Sequence, residues 1–493
     1  LFLNEVFKKE SINVLDSEDL LDYYPERSSY GKDRNEQLFN IALSLTINWV
    51  NRILFLKLLE AQLIKYHKGD SSYSFMNLSK IADYDELNKL FFLLLSKRPQ
   101  DRKEVINEKY GRVPYLNSSL FEVSSLEKGT IRISNLENHD LTLFGGTVLR
   151  EGTKPRYRQL PTLRYLLEFL DAYDFASEGN EEIQENAKPL INASVLGLIF
   201  EKINGHKDGS VFTPGAVTMY MSREAIRQTV VWKFNEVMGW NCKDYEALRD
   251  KDIEDYVKAN ALVDSLRICD PAVGSGHFLV SVLNEIIRTK YDLGILLDCD
   301  GKRIKKQDYN IDIENDELLV SDEEGLPFVY VPGNPESQRV QEALFKEKRT
   351  IIENCLFGVD LNSNAVNICC LRLWIELLKN AYYTKESGYT ELETLPNIDI
   401  NIKVGNSLIH RFALNQDISE ILKKSGVSIS DYRNAVSQYK NAHSKDEKHA
   451  LEETIQKIKD DFQTYIGQHD PRLVRKYQIE RELDKVSAPL LFE

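Results

Sequence analysis

A strand that runs into a glycine turn and out into a helix constrains this 493-residue chain more than any other feature. Leu266-Arg267-Ile268-Cys269 is a short apolar strand, and it leads into Asp270-Pro271-Ala272-Val273-Gly274-Ser275-Gly276-His277-Phe278. Beyond the turn, Leu279, Val282, Leu283, Ile286 and Ile287 recur at i, i+3, i+4, i+7 and i+8, the spacing of one helix face. Strand, glycine turn and helix make the first half of a nucleotide-binding βαβ unit. Gly274 and Gly276 have no Cβ and can adopt positive φ, so their backbone can approach a ligand closely. The turn lacks the third glycine of the dinucleotide fingerprint and opens with a carboxylate, which repels a pyrophosphate. A sulfonium carrying an amino-acid tail meets no such repulsion. The electrostatics favour S-adenosylmethionine over NAD.

The second half of the unit arrives late. Leu356-Phe357-Gly358-Val359-Asp360-Leu361 reads as an apolar strand ending in an acid, and Asn362-Ser363-Asn364 as a helix start. The helix expected over 365–378 is apolar nearly all round and therefore buried. An acid at the end of the second strand can hold both ribose hydroxyls. The usual interval from glycine turn to this acid is about 20 residues, whereas Asp360 follows Asp270 by 90. The excess is assigned to an acidic, hairpin-like insertion at 292–335 (Tyr309 through Tyr330), followed by a helix at 337–354. A third strand is expected from Ile398 to Val404, ahead of Gly405-Asn406-Ser407-Leu408. Asn406 then sits at a strand end, as an adenine contact or simply as a turn asparagine. Upstream, Phe212-Thr213-Pro214 precedes a helix at 216–226, with Thr213 as N-cap and Pro214 in the first turn.

Around this core the chain divides into three. Residues 1–185 are expected to form a mostly helical domain with small strands near Ile131, Ile133, Leu141 and Leu143. Helical spacing carries Leu38, Ile41, Leu45 and Trp49, and the polar stretch 177–188 reads as a linker. Residues 186–410 form the α/β domain. Residues 411–493 are helical, with Leu451, Ile455, Ile458, Phe462 and Tyr465 at alternating steps of four and three, a short coiled-coil-like seam. No run of some 18 apolar residues is found, so no membrane span is expected and the setting is cytoplasmic. Six cysteines without Cys-x-x-Cys or Cys/His metal spacing read as buried, reduced thiols rather than metal ligands. A net charge of −14 argues against a nucleic-acid binder over the whole surface. Two local basic clusters stand out: Arg150, Lys154, Arg156, Arg158 and Arg164, and Arg472, Arg475, Lys476 and Arg481. A solvated face is the commoner explanation for each. With Leu1 in place of Met, the chain is expected to be part of a longer polypeptide.

Taken together, these segments resemble the γ-class amino-methyltransferases, with motif order X, I, II, III, IV. Phe212-Thr213-Pro214 looks like motif X, Asp270 to Phe278 motif I, Gly358-Val359-Asp360-Leu361 motif II and Gly405-Asn406-Ser407-Leu408 motif III. Pro114-Tyr115-Leu116-Asn117, 196–205 and 367–378 resemble type IIG restriction–modification enzymes, which fuse endonuclease, methyltransferase and target recognition. The resemblance implies an α/β class I S-adenosylmethionine-dependent (Rossmann-like) methyltransferase domain, preceded by a helical connector domain and followed by a helical segment. It implies methyl transfer to the N6 of a flipped adenine in double-stranded DNA. Phe212, Thr213 and Pro214 then line the methionine end of the cofactor. Asp270, Ala272, Gly274 and Gly276 cradle it, Phe278 walls the pocket, Asp360 binds the ribose, Leu361 packs on the adenine and Asn406 meets its edge.

Two departures qualify the resemblance. The family's catalytic Asn/Asp-Pro-Pro-Tyr/Phe loop is missing, since no Pro-Pro occurs in the sequence, and no catalytic residue is assigned. Asn334-Pro335-Glu336 lies in the wrong order and lacks the second proline and the aromatic. No Glu-x-Lys occurs either, so Mg²⁺ is expected only for a nuclease domain outside these residues, as is target recognition. The expectation is a chain that binds the cofactor but transfers nothing by itself. Rival readings are a catalytically silent subunit, an NAD-dependent Rossmann enzyme, and a methyltransferase acting on protein or RNA.

Overall fold

The computed structural model describes residues 3–17, 19–95, 97–116, 119–175, 190–191, 213–398, 400–408, 428–440, 442, 445–469, 475 and 479. They fall into two compact units, Leu1–Ser407 and Leu408–Glu493. The expected linker at 177–188, the string 196–205, Phe212, Arg472, Lys476 and Arg481 lie outside the described residues.

The first part of the larger unit is helical, as its periodicity predicts. Its spine is α1 (Arg34–Tyr66), started by Asp33, whose side chain accepts the Glu36 N–H. By length and mean hydropathy α1 can cross a membrane, which the sequence reading did not anticipate, yet 78% of its apolar window is buried within the protein. Its polar groups show why it is a core helix. Arg52 pairs with Glu127 at 2.6 Å, which also accepts the Trp49 indole N–H. Glu60 accepts the Phe75 and Met76 N–H groups and a hydrogen bond from Lys57. Buried charges are tolerable because each is paired and hydrogen-bonded inside the fold.

A small β module follows. β1 (Asp140–Thr142) pairs antiparallel with β4 (Gln159–Pro161), and β2 (Arg150–Glu151) with β3 (Lys154–Pro155). The strand expected at Ile131 and Ile133 is instead a 3₁₀ turn over Ile133–Asn135, because the Asn135 side chain accepts the Arg132 N–H and closes the backbone on itself. α2 (Thr162–Asp171) completes this region.

After α3 (Gly215–Met238) comes a parallel three-stranded sheet in the order β9-β8-β5. Its strands are β5 (Ile268–Asp270), β8 (Leu356–Asp360) and β9 (Ile402–Val404). β9 is shorter than the Ile398–Val404 strand expected. α4 (His277–Asp292) leaves β5, α5 (Pro335–Asn354) leads into β8, and α6 (Ser363–Lys379) leaves it. α6 is buried on every face, as its composition requires, with Asn362 capping it by accepting the Asn364 N–H. Of the six cysteines, Cys242, Cys355, Cys369 and Cys370 are buried, but Cys269 and Cys299 are exposed, contrary to expectation. Cys269 lies on a strand bonded on one side only among the described residues.

The insertion is a hairpin, β6 (Tyr309–Glu314) against β7 (Glu317–Asp322). Its two-residue turn has Asn315 at φ 50° and Asp316 at φ 65°, the left-handed pair that matches strand twist. The tip is seated on the helices of the glycine-turn unit. Ser281 Oγ of α4 lies 2.7 Å from Asp316 Oδ1 and 3.1 Å from Thr218 Oγ1 of α3, and Thr218 donates to the Gly215 carbonyl at 2.9 Å. A single serine hydrogen cannot serve both neighbours. Ser281 donates to Asp316 Oδ1. Burial pushes the Asp316 pKa up to about 6, against the opposing Ser281 hydrogen bond and Arg372 charge. Folding therefore favours the protonated form. That contribution is complete below about pH 4 and is lost as pH rises through about 6. Asp316→Asn, whose amide is neutral at every pH, is expected to melt roughly 2 °C above wild type at pH 7.5 and level with it at about pH 4. A variant melting below wild type at pH 7.5 refutes this direction.

In the smaller unit, α7 (Ile429–Lys440) packs against α8 (Lys445–His469), and the Tyr439 hydroxyl donates to Glu452. Ile455 of the expected seam is buried. The side chains of Phe462 and Tyr465 lie outside the described residues.

Candidate cofactor site

Parallel pairing brings three loops together at one end of the sheet. The register sets Asp270 beside Gly358 and Asp360 beside Val404, so both acids close neighbouring strands at their carboxyl ends. The loops then bond to one another. The Gly274 N–H donates to Asp360 Oδ2 and the Asn362 N–H to Oδ1, each at 2.8 Å. The Gly405 N–H donates to the Asp360 carbonyl at 2.8 Å, and Ser407 Oγ to the Pro271 carbonyl at 2.6 Å. Asp360 is the knot that joins them.

The glycine turn takes the shape its composition permits. Gly274 and Gly276 have φ of 52° and 85°, a region costly for residues with a Cβ. A Cβ on Gly276 would lie 2.7 Å from Cys369 Sγ, and one on Gly358 would lie 2.8 Å from Val273 Cγ2. Space under the turn is filled by α6, whose buried Arg372 reaches the Ser275 carbonyl at 3.4 Å.

Asp270 carries the main electrostatic signal. Its Oδ1 accepts the Ala272 N–H at 3.0 Å, while its buried Oδ2 has no hydrogen-bond partner among the described residues. Burial raises its pKa, the Ala272 N–H opposes this, and the charge of Asp360 raises it further. A buried carboxylate oxygen left unmatched is unfavourable, and a cation or donor placed against it relieves the cost. His277 shows the reverse shift. Burial and then Arg372 press it down to about 4 against a hydrogen bond to the Thr213 backbone. The imidazole is therefore neutral at physiological pH and adds no charge to repel a cation.

The residues singled out by sequence thus have definite places. Thr213 is half-buried beside His277, and Pro214 is exposed at the start of α3. Ala272 is exposed on the turn and Phe278 half-buried in the first turn of α4. Leu361 is 70% exposed next to Asp360, and Asn406 is exposed just past β9. Sequence reasoning missed Cys369, Arg372 and Ser407. An arginine within the apolar run 368–375 was the available signal for Arg372. Cys369 and Ser407 gave none.

Residues 4–191 match the family described as Domain of unknown function (DUF7814). The chain is 28% identical over 391 residues, 73% of its length, to the putative type II restriction enzyme and methyltransferase RM.MjaORFECS2P of Methanocaldococcus jannaschii, of which it covers 27%. It is 27% identical over 222 residues, 45% of its length, to the type II restriction enzyme and methyltransferase RM.Eco57I of Escherichia coli, covering 18% of that protein. The solved structure of the Type IIL restriction-modification enzyme MmeI in complex with DNA aligns with 89% of this chain and 46% of its own, at 16% identity and a TM-score of 0.41. That score is below what a shared fold requires. The curated relatives of this chain are thus type II restriction enzyme–methyltransferase proteins, of which it spans about a quarter of the length or less.

Proposed function

We propose that this chain is the S-adenosylmethionine-binding part of a DNA adenine-N6 methyltransferase with a Rossmann-like class I domain, acting in a type IIG-like restriction–modification enzyme in the cytoplasm. One observation carries the reading. Two carboxylates close adjacent parallel strands beside a Cβ-poor turn, and the buried Oδ2 of Asp270 lacks a partner among the described residues. This donor set fits a cationic nucleoside and disfavours a pyrophosphate.

In this reading Asp270, with the backbone of Ala272, Gly274 and Gly276, holds the amino-acid tail. Thr213 and Pro214 border it, with Phe212 expected alongside, and Phe278 closes the wall. Asp360 keeps acceptor capacity beyond its two backbone N–H bonds, which suits the ribose hydroxyls. Exposed Leu361 lies against the adenine, and Asn406 meets its edge. The bound cofactor supplies an electrophilic methyl group. The chain's own contribution is to orient it. Duplex DNA is the partner of the whole enzyme, with the target adenine turned out of the stack.

The absence of any Pro-Pro from these 493 residues favours a second reading for the chain taken alone, a cofactor-binding but catalytically silent unit. Calorimetric titration with S-adenosylmethionine and NAD tests the first reading. Binding of the former alone is expected, and binding of NAD alone defeats it. A radiolabelled-methyl assay on duplex DNA is expected to show no turnover by these residues. Turnover would place a catalytic loop where none has been assigned.

A further inference from the structure

We propose that the small β module at residues 137–165 grips the sugar-phosphate backbone of duplex DNA through Lys154, Arg156 and Arg158. The module has a core of its own, Leu143, Leu149, Leu160 and Tyr165, distinct from the main one. It is therefore a firm platform rather than a loose loop. Between 150 and 164 it carries five cations and one acid, Glu151, in a chain whose net charge is −14.

The five cations are not equivalent. Arg150 is occupied by its own loop, donating to the Thr147 and Gly145 carbonyls at 2.6 and 2.8 Å. Arg164 pairs with Glu168 at 2.6 Å and lies 5.3 Å over the Tyr157 ring. Lys154, Arg156 and Arg158 are all exposed, and among the described residues no ion pair engages them, although Lys154 stands opposite Glu151. The backbone around them is fixed. The Arg156 N–H donates to the Leu149 carbonyl, the Arg158 carbonyl accepts the Leu143 N–H, and Lys154 faces Glu151 across the β2–β3 pair.

The three are alternate residues of one short stretch of chain, Lys154 on β3 and the two arginines at bends beyond it. Three like charges so placed repel one another and add nothing to folding, whereas a polyanion running past them relieves the repulsion and releases its counterions. Arginine forks and a lysine ammonium are suited to phosphate oxygens. The contact is one of backbone and register, with no reading of bases. The identity of the polyanion as DNA rests on the methyltransferase reading above. The charge imbalance does not.

The test is fluorescence anisotropy of the 493-residue chain with a labelled 30-base-pair duplex across a salt series. Lys154→Ala/Arg156→Ala/Arg158→Ala is expected to weaken binding at least about tenfold at 0.1 M salt and to flatten the log–log salt slope by about 2 to 3. Its melting temperature and its S-adenosylmethionine affinity should be unchanged, so a failed cofactor reading is seen separately. Lys243→Ala/Arg249→Ala/Lys251→Ala removes the same charge from another exposed segment and should leave the slope near wild type. The proposal is overturned if the first triple binds with the wild-type slope, if the control loses as much, or if the wild-type chain does not bind duplex at 50 mM salt. It is also overturned if the first triple loses affinity for polyglutamate but not for DNA, which would identify an acidic protein partner instead.

Discussion

Asp360→Ala is expected to raise the Kd for S-adenosylmethionine at least about 100-fold, taking each charge-assisted hydrogen bond to a ribose hydroxyl as worth about 1.5 kcal/mol. The same substitution removes the acceptor of the Gly274 N–H and of the Asn362 N–H. The glycine turn then loses its tie to the second strand, and stability falls as well. Binding and stability can be separated with Asn362→Ala, which removes the cap bonded to the Asn364 N–H and leaves Asp360 in place. That variant should lose about 1 kcal/mol of stability and keep nearly all of its cofactor affinity. Titration calorimetry beside thermal melting distinguishes the two. An Asp360→Ala protein that binds as tightly as wild type would remove Asp360 from the site.

Gly276→Ala is expected to cost about 2 to 5 kcal/mol. Two independent terms make up this figure. A Cβ at φ 85° is strained by about 1 to 2 kcal/mol, and it would stand 2.7 Å from Cys369 Sγ and 3.3 Å from Cys369 Cβ in a fully buried contact. Overpacking of that kind costs about 1 to 3 kcal/mol. The terms can be resolved by a double-mutant cycle in denaturant. Cys369→Ala removes the sulfur and should recover the steric part, whereas the φ part persists in the double variant. If Gly276→Ala unfolds at the wild-type midpoint, the turn does not have the left-handed shape that opens its backbone to a ligand.

The glycine turn was legible in the sequence because its cause is local. Strand, acid, glycines and a helix at i, i+3, i+4 spacing lie within some twenty residues, and positive φ follows from having no side chain. The hairpin at Tyr309–Asp322 and the buried helix Ser363–Lys379 were legible for the same reason: alternation and all-round apolarity declare themselves along the chain. Local pattern failed at Ile131 and Ile133, where an asparagine side chain competed for the backbone. Composition also misjudged Cys269 and Cys299, because thiol burial depends on what lies across from each thiol.

The sequence by itself determined which residues can bend, cap and carry charge. Only the tertiary structure decided that Asp360 ties three loops together, that Cys369 and Arg372 fill the floor beneath the turn, and that one oxygen of Asp270 is buried without a partner among the described residues. It alone also seated the inserted hairpin on Ser281. The physical reason is distance along the chain. Apart from the Asn362 N–H on Asp360, these contacts join groups 35 to 97 residues apart, and the pairing of parallel strands that brings them together depends on the whole sheet, not on any neighbouring residue.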